Sequence, residues 1–223
     1  MELDYIMKLG GSLLTDLEKT KKLLDRIEKS SNHKVAYTVG SGYLGEVYKK
    51  WIKQENKLKL PHDNSIKVWS DIQSINANIL TSLNSNFVVC NSQEEMEHAI
   101  NEGRRPILDA TGFHEHFKEL QYQTTDVRTA QLCYILNCKN LVIVTDVDGI
   151  YASDPKENGQ AKKIRQIKAC DLIEMGRTSV DQGLAEMLIK YEINAYVIGI
   201  DGLTKEKEIS SETIMDSGTI IEH

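Results

Sequence analysis

The chain has little of what stiffens or crosslinks a fold: its 223 residues include 3 prolines, 2 tryptophans, 3 phenylalanines and 4 cysteines. Cys90, Cys133, Cys138 and Cys170 lack C-x-x-C spacing and lie in or beside apolar stretches, so they read as reduced packing residues, not as a zinc site or disulfide framework. Long hydrophobic runs are missing too. The strongest, Leu141-Val142-Ile143-Val144, is far shorter than the ~20 residues of a bilayer helix. The opening Glu2-Leu3-Asp4 is no basic leader, so the expectation is a cytosolic protein with no membrane partner. Nor does one charge dominate. The 27 Lys+Arg and 33 Asp+Glu give a net charge of -6 spread along the chain, which is not the footprint of a nucleic-acid binder.

What is present is a regular alternation of short apolar runs and helical stripes. Asp4 to Leu9 is strand-like and breaks at Gly10-Gly11-Ser12; Leu17, Leu23, Leu24 and Ile27 then recur at helical spacing. Val35 to Val39 is a second strand, entering Gly40-Ser41-Gly42. Helical stripes follow from Leu44 to Trp51 and through Ile72, Ile75, Ile79 and Leu80, separated by a polar loop with Pro61 and Asp63-Asn64-Ser65. Phe87 to Cys90 is strand-like, and Ser92 with Glu95 forms a capping box for the helix of Met96, Ala99 and Ile100. Pro106-Ile107-Leu108 starts another strand. Thr125 caps a helix through Leu136, and Leu141 to Thr145 is the clearest buried strand. A helix from Asp181 to Tyr191 precedes a strand from Ala195 to Ile198. Strands separated by helices predict an α/β fold with a mainly parallel sheet covered on both faces, because parallel neighbours need crossovers that pack on the sheet. No Pro/Gly-rich linker divides the chain, so two lobes of one fold are expected.

Ligands of such sheets bind at the carboxyl ends of the strands, where both glycine turns fall. Glycine lets backbone amides approach an anion, a following helix adds its positive end, and Lys8 adds a full cation, so the two turns together read as a phosphate site. Each alone also reads as a tight connection needing positive φ. Gly40-Ser41-Gly42-Tyr43-Leu44-Gly45 fits G-x-G-x-x-G, but the acidic strand end that a dinucleotide site needs about 20 residues on is missing, which speaks against an oxidoreductase. The run from Leu141 ends in Thr145-Asp146-Val147-Asp148-Gly149-Ile150-Tyr151, followed by Asp154-Pro155. A plain Asp/Gly turn does not explain why an apolar strand ends in three carboxylates and a tyrosine. Such a cluster suits a nucleotide's base and ribose, or magnesium-bound phosphates reached through water. His114-Glu115-His116 reads as loop polar residues and not as a metal site.

In chain order, Lys8-Leu9-Gly10-Gly11-Ser12, Gly40-Ser41-Gly42, Thr124-Thr125-Asp126, Thr145 to Tyr151 with Asp154-Pro155, and Gly218-Thr219 resemble the amino acid kinase superfamily. That family includes aspartate, acetylglutamate, uridylate and isopentenyl phosphate kinases. The resemblance runs nearly the whole chain and implies a three-layer αβα sandwich, with an acceptor-binding lobe over approximately 1–137 and an ATP-binding lobe over 138–223. It further implies a homodimer or higher oligomer that transfers the γ-phosphoryl group of ATP, with Mg2+ bridging the ATP phosphates, to a small-molecule acceptor. By the same resemblance Lys8 neutralises charge on the phosphoryl group and Asp126 orients Lys8. Gly10, Gly11, Ser12, Gly40, Ser41 and Gly42 bind phosphate or acceptor, and Thr145, Asp146, Gly149, Tyr151 and Asp154 line the nucleotide site. These roles suit a reaction that asks for positioning and charge neutralisation more than covalent chemistry.

Within the family, Gly176-Arg177-Thr178-Ser179-Val180-Asp181 and the short length are most similar to the archaeal branch that phosphorylates aminomethyl-furan-methanol phosphate. Similarity to archaeal uridylate kinase is weaker, since Glu46 stands where that branch carries an arginine for the nucleotide phosphate. Gly45-Glu46 stands where an isopentenyl phosphate kinase carries a histidine. Glu186 occupies the usual place of a second catalytic lysine, leaving Arg177, Lys190 or Arg128 to supply that cation. The alternative is that Glu186 faces solvent, off the stripe of Leu184, Leu188 and Tyr191. The leading expectation is a small-molecule kinase for a phosphate or carboxylate acceptor. A catalytically weak nucleotide- or oxyanion-binding regulatory or storage protein is the first alternative, and a uridylate kinase the second.

Overall fold

The computed structural model describes residues 1–30, 34–54, 61–120, 124–153, 157–176, 178–205 and 209–223. Its central strand is β1 (Tyr5–Leu9), paired in parallel with β2 (Val35–Val39) on one side and β5 (Asn140–Thr145) on the other. β4 (Arg105–Leu108) and β3 (Phe87–Cys90) continue the parallel sheet beyond β2, and β9 (Asn194–Gly199) continues it beyond β5. β10 (Thr219–Glu222) then turns back antiparallel to β9, with β8 (Gln166–Lys168) parallel to β10 at the edge. Among the described residues this is an eight-stranded sheet in the order β3-β4-β2-β1-β5-β9-β10-β8. The expected mainly parallel sheet is present. The reversed edge was not legible, because β8 is three half-wet residues with no apolar pattern.

Helices cover both faces and make the three layers. In β1, Tyr5, Met7 and Leu9 enter one core and Ile6 the other, as the two-residue period of a strand requires. The first core is closed by α1 (Leu17–Lys29), α8 (Ile200–Lys205), α9 (Ser211–Ser217) and the second half of α3 (His62–Leu83). The second is closed by α4 (Gln93–Asn101), α5 (Thr125–Ile135), α6 (Ala169–Met175) and α7 (Gln182–Tyr191), with Ile66 from the start of α3. Leu23, Leu24 and Ile27 of α1 are fully buried, each worth about 1.5–3 kcal/mol of transfer free energy. Among the described residues no helix is long and apolar enough to cross a membrane.

Three local expectations shift. Asp63, Asn64 and Ser65 are not a loop but the first turn of α3, where Pro61 is the cap and its carbonyl accepts from Ser65 N at 3.1 Å. A proline before a helix loses no bond, and the acid at Asp63 favours the positive helix end. The cap of α5 is Thr124, whose hydroxyl accepts from Val127 N at 3.5 Å; Thr125 is the first helical residue. In the capping box of α4, Ser92 Oγ accepts from Glu95 N at 3.2 Å as expected, but Glu95 Oε2 reaches back to Asn91 N at 2.7 Å instead of to Ser92.

The carboxyl ends of β1, β2 and β5 meet without side chains between them. Gly10 N donates to Val144 O and Gly40 N to Leu9 O, both at 2.8 Å, so the chain keeps sheet pairing into both glycine turns. A Cβ on Gly11 would lie 2.0 Å from Gly42 N, and one on Gly40 would lie 2.3 Å from Gly11 N. Of these four glycines only Gly42 has a positive φ, 53°; Gly11 and Gly40 are required by close backbone approach. After Gly42 the chain enters α2 (Gly42–Gln54), packed on the 3-10 turn Gly11–Thr15. Gly11→Ala should therefore cost about 3 kcal/mol or more in urea unfolding, whereas Gly159→Ala, with open space around it, should stay within about 0.5 kcal/mol of wild type.

Candidate active site

A cleft of about 940 Å³ opens where these strands end. Lys8, Gly10, Gly11, Ser12, Gly40, Ser41, Gly42, Asp126 and Thr145 all line it, so nine residues chosen from four separate sequence segments come together. Lys8 follows Ile6 on the α5 side of β1, and Asp126 lies in the first turn of α5. Their ion pair measures 2.6 Å, with side chains 13% and 4% exposed. Burial by itself pushes the Asp126 carboxyl up. The Lys8 charge and hydrogen bond, with the Asp181 N–H at 3.0 Å on the other carboxylate oxygen, hold it below the usual range.

That amide bond ties the cap of α7 to the start of α5 and brings Asp181 beside Asp126. Asp181 opens into the cleft, yet its carboxyl is pushed up, first by the desolvation of its surroundings and then by the Asp126 charge. Ser12 and Thr145 reach the nucleotide segment: their hydroxyls donate to Asp146 Oδ1 at 3.4 and 3.1 Å.

Gly149 and Tyr151 do not line this cleft. They belong to a hairpin of β6 (Ile150–Tyr151) and β7 (Lys163–Ile164), where the Tyr151 hydroxyl donates to Asp148 and Lys163 Nζ lies 3.3 Å from Asp148 Oδ2. Burial raises the Asp148 carboxyl, and those two partners more than offset it, holding it low. Lys163 also donates to Ser217 O at 2.8 Å, and the Thr219 hydroxyl accepts from Ile150 N at 2.8 Å while donating to Ile164 O. The terminal Gly218-Thr219 pair therefore clamps the hairpin to β10. Asp154 and Arg177 lie outside the described residues.

Helices α2, expected from the stripe of Leu44 to Trp51, and α3 form one wall of the cleft, carrying Tyr43, Glu46, Lys49, Trp69 and Gln73. Trp69 is fixed edge-on against Tyr48, with ring centroids 5.0 Å apart. A Cβ on Gly45 would lie 2.4 Å from Ser41 Oγ and 2.9 Å from Trp69, so the glycine makes room for this ring above the second turn. Glu46 and Lys49 pair at 2.8 Å beside it. Sequence reasoning singled out neither Trp69, Gln73 nor Lys49, since nothing but tertiary packing turns these helical positions toward the cleft. Glu186 is exposed and outside the cleft lining, and Lys190 lies over the Tyr191 ring at 5.0 Å.

Backbone-lined turns at the carboxyl ends of parallel strands, a buried lysine between them and an αβα frame define a phosphate-handling α/β protein. The family model for the amino acid kinase family matches residues 5–199, and the chain belongs to that family. It is 27% identical over 220 residues to a uridylate kinase of Pyrococcus abyssi, covering 87% of this chain and 89% of that one. It is 30% identical over 197 residues to the [5-(aminomethyl)furan-3-yl]methyl phosphate kinase of Methanocaldococcus jannaschii, covering 87% of each. Among solved structures, the UMP kinase of Bacillus anthracis superposes with a TM-score of 0.73 at 19% identity, over 100% of this chain and 97% of that one, which is a likeness of fold.

Lys8→Met strands the Asp126 carboxylate in the interior and should cost roughly 3–5 kcal/mol at pH 7. Adding Asp126→Asn should return most of that loss, measured as urea midpoints of the three variants. Asp181 gives a pH signature of the opposite sign to Asp126. Because its folded pKa is raised, its ionisation weakens the fold as pH rises through that value. Asp181→Asn should therefore gain stability relative to wild type between pH 3 and pH 7 in a pH series of thermal melts; an unchanged difference would refute the assigned repulsion.

Proposed function

We propose that the protein is an ATP-dependent small-molecule kinase whose reaction centre is the Lys8–Asp126 pair between the two glycine turns. The observation that carries this reading is that pair, 2.6 Å apart where the two glycine turns meet in one cleft. The reaction breaks the bond between the γ-phosphorus and the β,γ-bridging oxygen of ATP and forms one from an acceptor oxygen to that phosphorus. Lys8 offsets the negative charge on the moving phosphoryl group, and Asp126 fixes where Lys8 points. The amides of Gly11 and Gly42 donate to phosphoryl oxygens, with Ser12, Gly40 and Ser41 completing the anion cradle and Gly10, whose own N–H is held by Val144 O, bringing the first turn against it.

The nucleotide lies along Thr145, Asp146, Gly149, Tyr151 and Asp154, so that approximately residues 1–137 bind the acceptor and 138–223 bind ATP. Magnesium, bound to the ATP phosphates, would offset their charge, and the carboxylates of Asp146 and Asp181 would accept hydrogen bonds from its waters. Assembly as a homodimer or larger homo-oligomer belongs to the same reading.

The acceptor is a ring-bearing amine phosphate of the aminomethyl-furan-methanol phosphate class. Support comes from the relative that carries this activity in its name and from the wall itself, where Trp69 offers a ring surface and Glu46 a carboxylate for an amine. Glu46 disfavours a nucleotide phosphate at that place, which weighs against uridylate although several relatives are uridylate kinases. One observation favours a second reading, a nucleotide- or oxyanion-binding protein with little turnover. Both described lysines lining the cleft, Lys8 and Lys49, are already paired with carboxylates.

Magnesium-dependent ADP formation decides between them, with aminomethyl-furan-methanol phosphate, UMP, isopentenyl phosphate, aspartate and acetylglutamate as acceptors and the product followed by phosphorus NMR. Sustained transfer to the furan amine is expected, falling at least about 100-fold in Lys8→Ala and selectively for amine-bearing acceptors in Glu46→Gln. A Lys8→Ala rate within twofold of wild type sinks the charge role. Tight ATP binding with no transfer to any acceptor establishes the second reading.

A further inference from the structure

The largest fully buried side chain of the described residues is an arginine, Arg128, 2% exposed on α5 two residues past Asp126. Its guanidinium enters the inner face of α3. Nη1 donates to Ser70 Oγ at 3.2 Å and to Gln73 Oε1 at 2.9 Å, Nη2 donates to Ile66 O at 3.3 Å, and Cζ stands 5.0 Å over the Phe117 ring. Burial pushes its pKa down to about 10, so the charge is kept at neutral pH. Filling that volume with Met or Leu carries no such desolvation cost. What a guanidinium adds is a rigid fork of donors and no acceptor.

That property settles the Gln73 amide. Because Arg128 only donates, the Gln73 carbonyl faces it and the NH2 must face the other way, where it meets Val39 O at 3.2 Å and Thr125 Oγ1 at 3.3 Å. Val39 is the last residue before the second glycine turn, and Thr125 adjoins Asp126. One turn further along α3, Asn76 Nδ2 donates to Gly40 O at 2.7 Å. Gln73 thus spans two parts of the reaction centre that come from distant stretches of chain.

We propose that Arg128 is a positioning residue for phosphoryl transfer: through Gln73 it holds the second glycine turn and the amino end of α5 at the spacing that Lys8 and Asp126 require. This rests on the kinase reading of the cleft. Arg128 touches no reacting atom. Its effect belongs in kcat, because a misplaced donor is felt most as the phosphoryl group moves.

Gln73→Glu keeps an acceptor for Arg128, and so the fold, while removing the donor to Val39 and Thr125. Transfer from ATP to aminomethyl-furan-methanol phosphate should lose 10- to 100-fold in kcat in this variant, with the melting temperature no lower than wild type and ATP affinity by calorimetry within threefold. Arg128→Met and Gln73→Met should each lose a similar factor, and the double variant Arg128→Met/Gln73→Met no more than the worse of these two, since both act in one chain of contacts. Amide exchange at Gly40–Gly42 and Thr125–Asp126 should quicken at least tenfold in Gln73→Glu and Arg128→Met, with β3 and α4 unchanged. A Gln73→Glu kcat within twofold of wild type, losses that multiply in the double variant, or unchanged exchange would each overturn the proposal. A wild-type protein that binds ATP but transfers to no acceptor fails the kinase reading and the catalytic half of the proposal with it; exchange, which needs no turnover, reads the coupling separately.

Discussion

The contact on which the rest depends is backbone against backbone. Gly11 and Gly42 approach so closely that no Cβ fits between them, and this fixes the carboxyl ends of β1 and β2 against each other. A parallel sheet gives adjacent strands a common direction but leaves their exits free to splay into different loops. Here the glycines remove that freedom. The exits stay joined, and both glycine turns line one cleft.

Charge is arranged around that contact under the constraint of low dielectric. Lys8 sits on a buried strand and is tolerable there because Asp126 meets it at 2.6 Å, while Asp126 is tolerable because the Asp181 amide and the Lys8 charge outweigh its burial. Asp181 bears the consequence, with its carboxyl pushed toward the neutral form. Arg128 introduces a second buried cation, and the helix α3 turns polar groups inward to meet it. A polar seam, Ser70, Gln73 and Asn76, therefore runs through what would otherwise be an apolar helix interface. It is this seam that connects the α2–α3 wall to the second glycine turn.

Much of this was legible from residue order. Val35–Val39 and Phe87–Cys90 were readable to the residue, because buried parallel strands are unbroken apolar runs with glycine or asparagine at their ends. The sequence alone does not separate Thr124 from Thr125 as the α5 cap, since the two are chemically alike and only the hydrogen bond to Val127 N distinguishes them. The start of α3 resembles a loop in sequence because its first turn is all polar; its apolar side appears only with Ile66. Trp69, Gln73 and Lys49 carry no motif at all. Gly149 and Tyr151 match the nucleotide segment of the family, yet stand on a hairpin beside the cleft wall, not in it.

By itself the sequence determined the layered α/β architecture, the family and the segments that gather at the strand ends, since each is written in local periodicity and in short runs of glycine, lysine and aspartate. Only the tertiary structure decided how those groups meet: that the Asp181 amide holds Asp126 opposite Lys8, that Glu186 points to solvent, and that an arginine of α5 buried against α3 faces an amide in the cleft wall. The reason is range. Periodicity and capping act over a few residues, whereas the distances that set charge and donor direction join residues 55 to 118 positions apart and exist only once both helices have packed on the sheet.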